Sequence, residues 1–178
     1  MEDPRKEIKA ILSDELRALS LRIKANHLRA GQKASGRTLA SLRVEVDGEH
    51  GTLYGRQAFG TLETGRGPGR VPRRFEDIIR QWILDKGIAV TEMPYKRKPS
   101  ERWRPKYTPK ERGLRAMAGA IAHKIRTEGT KLHREGGRSD IYSPEVRKAI
   151  DNIMNRAFGI FADDVAHINL HSNENEND

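Results

Sequence analysis

Three side chains near the C-terminus have a spacing that suits a metal ion. Asp163, His167 and His171 follow one another at four-residue steps, so they share one face wherever this segment is helical. A carboxylate and two imidazoles are common zinc ligands, but a closed zinc site needs four ligands. No fourth ligand is evident, and the polar end of a solvated helix explains the same pattern. We therefore predict no metal site, and a metal-dependent nuclease is the weakest of the functions considered.

A glycine-rich segment superficially resembles a phosphate-binding loop. Residues 60–66 read Gly-Thr-Leu-Glu-Thr-Gly-Arg. The lysine that reaches the phosphates and the Ser/Thr that binds Mg²⁺ are missing, and Gly-Pro-Gly at 67–69 continues a loop where a helix should start. The segment instead predicts a connection of required backbone shape, because glycine allows positive φ and proline fixes φ.

The remaining titratable side chains do not form a catalytic set. Glu63 is the one acid in the glycine-rich loop, and we expect it to pair with Arg66 or Arg70, or to cap backbone N–H groups. His123 and His133 have no nucleophile and acid at a suggestive spacing. The sequence predicts a protein that is not an enzyme and binds no cofactor.

A basic and aromatic segment occupies residues 91–107. Cations neutralise phosphates and aromatic rings stack on bases, so nucleic-acid contact is one interpretation. Docking on a neighbouring protein and a simple solvated loop are the alternatives. Prolines at 94, 99 and 105 keep the segment extended. Its cations are Lys96, Arg97, Lys98, Arg102, Arg104 and Lys106, and its aromatics are Tyr95, Trp103 and Tyr107.

Composition indicates a basic chain with a small core. The 178 residues are 33% charged and 35% hydrophobic, and the formal net charge is +9. Such a surface binds nucleic acid, acidic membranes or acidic proteins, unless it is merely solvated. The chain has no cysteine, which excludes disulfides and thiolate chemistry. We expect no signal peptide at the acidic N-terminus and no membrane association, because no apolar run approaches roughly 20 residues.

Capping signals and apolar periodicity predict the elements. A long first helix starts at Asp3-Pro4 and stops near Gly31. A β-hairpin turns at Asp47-Gly48, and Ala58-Phe59 is a possible third short strand. Further helices cover 75–87 and 108–129, and the last opens at Ser143-Pro144. This last helix carries Val146, Ile150, Ile153, Met154, Ala157, Phe158, Phe161 and Val165.

The predicted fold class is α+β. It consists of a long N-terminal helix, a small antiparallel β-sheet and three further helices. We predict a single domain over residues 1–169 with an extended basic loop at 91–107. Residues 170–178 are predicted to be a disordered acidic tail.

The order of these elements resembles the neck and tail-component proteins of long-tailed bacteriophages. These are also called head–tail joining, tail-completion or minor tail proteins. The resemblance covers roughly residues 1–135, as far as pattern reading allows. It depends on residues 35–42 before the hairpin, on Leu-Glu-Thr-Gly at 62–65 after it, and on the alanine-rich stretch 116–125. The basic loop at 91–107 and the helix after Ser143 are longer than the minimal family pattern.

The resemblance implies a structural role in the virion. Such proteins form rings of identical subunits, often six-fold or twelve-fold, which join the portal or connector to the tail tube and let DNA pass. Expected partners are copies of the chain itself, connector or stopper proteins and tail-tube proteins, and contact with packaged DNA is a further expectation. The location would be the virion neck or tail, after assembly in the host cytoplasm.

Two segments are the predicted contact sites. We expect an inter-subunit loop formed by Leu62, Glu63, Gly65, Arg66, Gly67 and Pro68, and an arm at residues 95–107 that reaches a neighbouring ring or DNA. Replacing Gly65 and Gly67 with valine is expected to block assembly more than it unfolds the monomer. The alternative function is a basic nucleic-acid-binding protein that uses the 95–107 loop.

Overall fold

The computed structural model describes residues 3–96 and 104–174, with the side chains of 163, 164 and 167–174 left aside. It confirms the predicted fold class of a long N-terminal helix, an antiparallel two-stranded sheet and further helices. In chain order the elements are α1 (Pro4–Arg29), α2 (Arg37–Ala40), β1 (Arg43–Asp47), β2 (His50–Tyr54), α3 (Thr61–Thr64), α4 (Phe75–Asp85), α5 (Pro109–Glu128), α6 (Lys131–Arg134) and α7 (Ser143–Glu174).

One predicted strand is wrong. Ala58 and Phe59 lie in a 3₁₀ turn over Gln57–Gly60, directly before α3. The Phe59 ring contacts the ring of Tyr142, with 5.5 Å between the ring centres. A two-residue apolar segment is too short for periodicity to distinguish a strand from a helical turn.

The chain divides into two compact units. The first contains Met1–Gln32, Arg37–Phe59 and Ser139–Asp178, and the second contains Lys33–Gly36 and Gly60–Arg138. Each unit has a core of its own. The single domain over residues 1–169 stays a prediction. The backbone of α7 runs through the first residues of the predicted acidic tail, and residues 175–178 lie outside the described part.

The first unit is built on two long antiparallel helices. The Asp3 carboxylate caps α1 by accepting from the backbone N–H of Arg5 at 3.1 Å, and Pro4 occupies the first turn. The inner faces of α1 and α7 bury mostly apolar side chains. These are Ile11, Leu16, Leu19 and Ile23 of α1 and Ala149 of α7, with Ile141 just before α7.

Polar contacts fix the register of α1 against α7. Glu145, which is nearly buried, lies 3.0 Å from the guanidinium of Arg22 and accepts from the amide of Asn26 at 3.3 Å. Further along, Glu15 accepts from Asn152 at 3.3 Å and from Arg156 at 3.2 Å. A one-turn slip would break both groups, so the charged residues specify one alignment.

The hairpin packs on α1 through one of its faces. Val44 and Val46 of β1 are half-buried, while Arg43, Glu45 and Asp47 alternate with them on the exposed face. The strands pair in antiparallel register from Arg43–Tyr54 to Asp47–His50. Among the described residues the sheet has these two strands alone, so each strand has one partner.

The second unit has α4 and α5 at its centre. Ile79 and Ile83 of α4 pack against Ala118 and Ala122 of α5, and all four are buried. Gly113 lets α5 approach the preceding segment, because a Cβ there would lie 1.9 Å from the carbonyl oxygen of Thr91. The core is therefore made of aliphatic side chains facing small ones, which brings the two helices close together.

None of the helices in the described part of the chain has both the length and the apolar content that a membrane span requires.

Candidate functional site

The glycine-rich segment contacts a second glycine-containing segment of the same chain. The backbone N–H of Arg66 donates to the hydroxyl of Thr130 at 2.9 Å, and the N–H of Thr130 donates to the carbonyl of Arg66 at 2.8 Å. On either side, Arg138 N–H donates to the carbonyl of Glu63 and Gly69 N–H donates to the carbonyl of Arg126, both at 2.8 Å. We call this contact between residues 63–69 and 126–138 the glycine junction.

Because glycine has no side chain, the two backbone segments of the glycine junction can approach each other closely. A Cβ on Gly65, whose φ is +68°, would lie 2.5 Å from the backbone nitrogen of His133. On the other segment, a Cβ on Gly129 would lie 2.7 Å from the carbonyl oxygen of Arg66, and one on Gly137 would lie 2.9 Å from that of Glu63. Such distances are sterically excluded, so these glycines are needed for packing within the chain.

The predicted inter-subunit loop therefore has an intrachain role. Glu63 is 3% exposed, and Gly65 and Gly67 face His133. The guanidinium of Arg66 donates to the carbonyl of Arg70 and lies 5.8 Å from the centre of the Phe75 ring. Leu62 is half-buried and Pro68 is exposed. Contact of this loop with a second copy stays a prediction.

Both described ends of the 91–107 arm are held on α5. The guanidinium of Arg112 lies 4.0 Å from the centre of the Tyr95 ring and donates to the carbonyls of Met93 and Pro94 at 3.0 and 2.9 Å. One turn on, Arg115 lies 4.0 Å from the centre of the Tyr107 ring. Cation–π contacts of this kind stabilise both ends of the arm. Lys96, Arg104 and Lys106 flank them, whereas Arg97, Lys98, Arg102 and Trp103 lie outside the described residues.

The histidine and aspartate pattern on the last helix remains a sequence observation. The backbone of Asp163, His167 and His171 belongs to α7, and their side chains lie outside the described part. Among the side chains that are described, no group of three His, Asp or Glu is arranged to hold a metal ion.

A polar cavity of about 370 Å³ lies beside the start of α4. Two of its charged groups pair with one another: Arg74, which has a φ of +58°, donates to the carboxylate of Asp77 at 2.8 Å. This hydrogen bond from Arg74, aided by the charge of Arg80, holds the pKa of Asp77 below its usual value. The arrangement stabilises the first turn of α4.

An uncovered apolar surface lies on α7. Six large apolar side chains follow one another at steps of three or four residues, which places them on one face of the helix. Their exposed fractions run from 38% at Val146 to 75% at Phe158. We call this face the α7 stripe; its members are Val146, Ile150, Met154, Phe158, Phe161 and Val165.

A second apolar surface lies in the other unit. A groove of about 590 Å³ between α4, α5 and α6 has an apolar wall that includes Phe75, Trp82, Ile121, Ile125 and Leu132. Four cations also line it: Arg66, Lys124, Lys131 and Arg134. We call it the α4–α5 groove.

Sequence reasoning found the periodicity of the α7 stripe but not the groove. The apolar spacing of α7 is a local pattern, so the stripe residues could be named from the sequence, but only together with Ile153 and Ala157, which are half-buried. The groove combines residues from position 61 to position 134, and no local signal joins them.

Comparison of the chain with known protein families, with curated proteins and with solved structures found no match.

Proposed function

We propose that this protein is a structural subunit of a bacteriophage neck or tail, which assembles into a ring that joins the head to the tail and lets DNA pass. The observation that carries the proposal is the α7 stripe. Soluble monomers rarely expose a continuous apolar patch that runs along about five helical turns. A surface of this kind is typical of a chain that completes its burial against other subunits.

The fold is suited to a subunit that depends on its neighbours. The buried core of the second unit consists of two isoleucines and two alanines, with partly buried side chains around them. Cores of this size provide limited stability, which small proteins commonly supplement by association. The resemblance to phage neck and tail components suggests that the assembly is a ring. The α7 stripe is a surface through which subunits could associate.

A basic nucleic-acid-binding protein is the second candidate, and the arm contacts weaken it. Stacking on bases needs free aromatic faces. Tyr95 and Tyr107 each have one face covered by an arginine of α5 at 4.0 Å. Cations along the arm still favour contact with phosphates. We therefore expect weak contact with DNA that passes through the ring, and not specific binding of DNA as the main function.

Electron microscopy and multi-angle light scattering of the purified full chain test the proposal. We expect closed rings of defined subunit number, either from the chain alone or after addition of connector proteins, and we expect the chain in purified virions. A chain that stays monomeric up to high concentration and is absent from the particles would contradict it. Strong DNA binding that falls steeply with salt, without any assembly, would favour the second candidate.

A further inference from the structure

Exposed arginines surround the polar cavity at the start of α4. Arg126 of α5 lines the cavity, and Arg70 and Arg73 lie on either side of residues 71–72, which also line it. None of these three guanidiniums lies within ion-pair distance of a carboxylate in the described part of the chain. We call this surface the arginine patch; its members are Arg70, Arg73, Arg74 and Arg126.

Hydrogen bonds hold the two segments of the arginine patch together. The N–H of Gly69 donates to the carbonyl of Arg126 at 2.8 Å, so Arg70 directly follows a residue that is bonded to α5. The guanidinium of Arg66 donates to the carbonyl of Arg70. The segment is therefore fixed where it leaves the glycine junction and again where it enters α4. Its arginines can meet a ligand with little further ordering of the backbone.

The arginine patch stays positive after the acids beside it are counted. Asp77 accepts from Arg74 at 2.8 Å and also pairs with Arg80, so its charge is neutralised. Glu76 faces the cavity, where a Cβ on Gly119 would lie 4.0 Å from its Oε1 atom, and it has no ion pair with a described residue. One unpaired acid against three unpaired arginines leaves a basic surface.

We propose that the arginine patch binds the phosphate groups of duplex DNA. A guanidinium donates in a planar fork that matches two oxygens of one phosphate. A duplex presents one negative charge per about 1.7 Å of its axis, so several arginines on one face contact phosphates at the same time. Phosphate contacts carry no base information, so the binding is independent of sequence. The inference goes beyond the ring-forming function, because a single copy of the chain is enough for it.

The side chains of the patch favour a nucleic acid over a protein or a membrane. Besides its arginines the patch exposes Pro72, while the apolar side chains of Val71 and Phe75 are half-buried. Protein interfaces have an apolar and aromatic centre, and helices that lie on membranes insert apolar side chains. Protein–DNA interfaces are more polar and more positively charged, as this surface is.

Fluorescence anisotropy with a labelled duplex tests the proposal on the full chain. The patch variant carries Arg70→Gln, Arg73→Gln and Arg126→Gln, and binding is followed from about 50 to 200 mM salt. We expect its affinity at the lowest salt to fall by at least about tenfold. The slope of log K against log salt should decrease in magnitude by about 2–3, since each lost phosphate contact removes about 0.9.

The matched control removes the same number of charges from the first unit. It carries Arg17→Gln, Arg56→Gln and Arg147→Gln, which are exposed arginines without an ion pair to a described residue. Both variants lose three positive charges, so a difference between them is due to position and not to total charge. The control should bind within about threefold of the unaltered chain. Circular dichroism and the thermal midpoint verify that both variants fold.

A variant that gains affinity separates binding from any folding defect. Glu76→Gln removes the unpaired acid of the cavity and should bind the duplex about two- to threefold more tightly. Its matched control is Asp151→Asn, at an exposed acid of α7, which should leave the affinity unchanged.

The opposite results overturn the proposal in distinguishable ways. Equal losses in the patch variant and its control would mean that total charge alone attracts DNA. A loss confined to replacement of Lys96, Arg104 and Lys106 would assign the contact to the arm. Tighter binding to poly-glutamate or to phosphatidylserine vesicles than to the duplex would assign the patch to a protein or a membrane. An unaltered chain that forms rings but binds no duplex at about 50 mM salt overturns this inference and leaves the proposed function standing.

Discussion

The glycine junction and the α7 stripe differ in sequence and in exposure. The junction has an unusual sequence, and its glycines bring residues 63–69 against residues 126–138 of the same chain. The stripe is an ordinary amphipathic pattern, yet its apolar side chains stay exposed. Strict backbone requirements here identify internal packing, whereas the exposed apolar surface has a plain helical periodicity. Five substitutions test this contrast.

The largest expected effect is at Gly65. Gly65→Ala should destabilise the chain by about 2–4 kcal/mol, because the new Cβ meets the backbone of His133 and because φ is +68°. The sequence predicted that substitution of Gly65 would block assembly more than it unfolds the chain. The close contact with His133 indicates the opposite, so loss of folding should be the larger effect. Urea denaturation measures the effect.

The matched control for Gly65 is Gly60→Ala, where no heavy atom lies within 4 Å of the added Cβ. It should change stability by less than about 1 kcal/mol. Equal effects at the two glycines would mean that the close approach to His133 does not constrain the fold.

The inner face of α7 should respond strongly to loss of a charge. Glu145→Ala is expected to cost about 2 kcal/mol, because it leaves Arg22 and Asn26 of α1 without their partner in a largely buried position. Glu145→Gln keeps an acceptor for Asn26 and should cost about half as much. Thermal denaturation compares the two variants, and an unchanged midpoint for Glu145→Gln would show that the carboxylate charge beside Arg22 contributes nothing.

Thr130 tests the hydrogen bonds of the glycine junction. Thr130→Val should cost about 1–2 kcal/mol, because its hydroxyl accepts from the N–H of Arg66 at 2.9 Å and caps α6 at His133. Thr127→Val is the control, since that exposed hydroxyl contacts only carbonyls of its own helix. A destabilisation at Thr127 as large as that at Thr130 would contradict the junction's role.

On the outer face of α7, stability and assembly should separate. Phe158→Ser should change the free energy of unfolding by no more than about 0.5 kcal/mol at concentrations where the chain is monomeric, because the ring is 75% exposed. Urea denaturation at low concentration measures this. A loss comparable to that of Glu145→Ala would show that Phe158 is part of the chain's own core.

The smallest effect concerns acid stability near the polar cavity. The pKa of Asp77 is lowered from 3.8, so its contribution to stability is complete above that value and is lost as the pH falls through the lower folded-state pKa. Asp77→Asn should remove this small acid-dependent step, which lies below about pH 4. Denaturation midpoints against pH detect it, and Glu76→Gln, at the neighbouring carboxylate, is the control.

Local sequence signals predicted most helices and strands, but they did not predict contacts between distant segments. The starts of α1, α5 and α7 were readable because each combines a capping residue with proline, as at Thr108-Pro109. The 3₁₀ turn at Gln57–Gly60 was mistaken for a strand because its apolar segment is short. Gly65 was recognised as a shaped position, but its partner His133 lies 68 residues away and has no local signature.

Periodicity also cannot say what covers an apolar face. The spacing that predicts α7 is the same whether its apolar side chains meet α1 or solvent. The structure assigns Ala149 to the interior and Phe158 to the surface. The sequence therefore predicted the apolar residues of the stripe. It did not predict the groove.

The hairpin has a consequence for the solubility of the chain. A free strand edge can pair with the edge of another molecule and start aggregation. On β1, Arg43, Glu45 and Asp47 are exposed at alternate positions, and Arg43 also lies 4.8 Å from the centre of the Tyr54 ring across the ladder. Charged side chains on a short strand oppose such pairing. The edge of the hairpin is therefore protected against aggregation of the free chain.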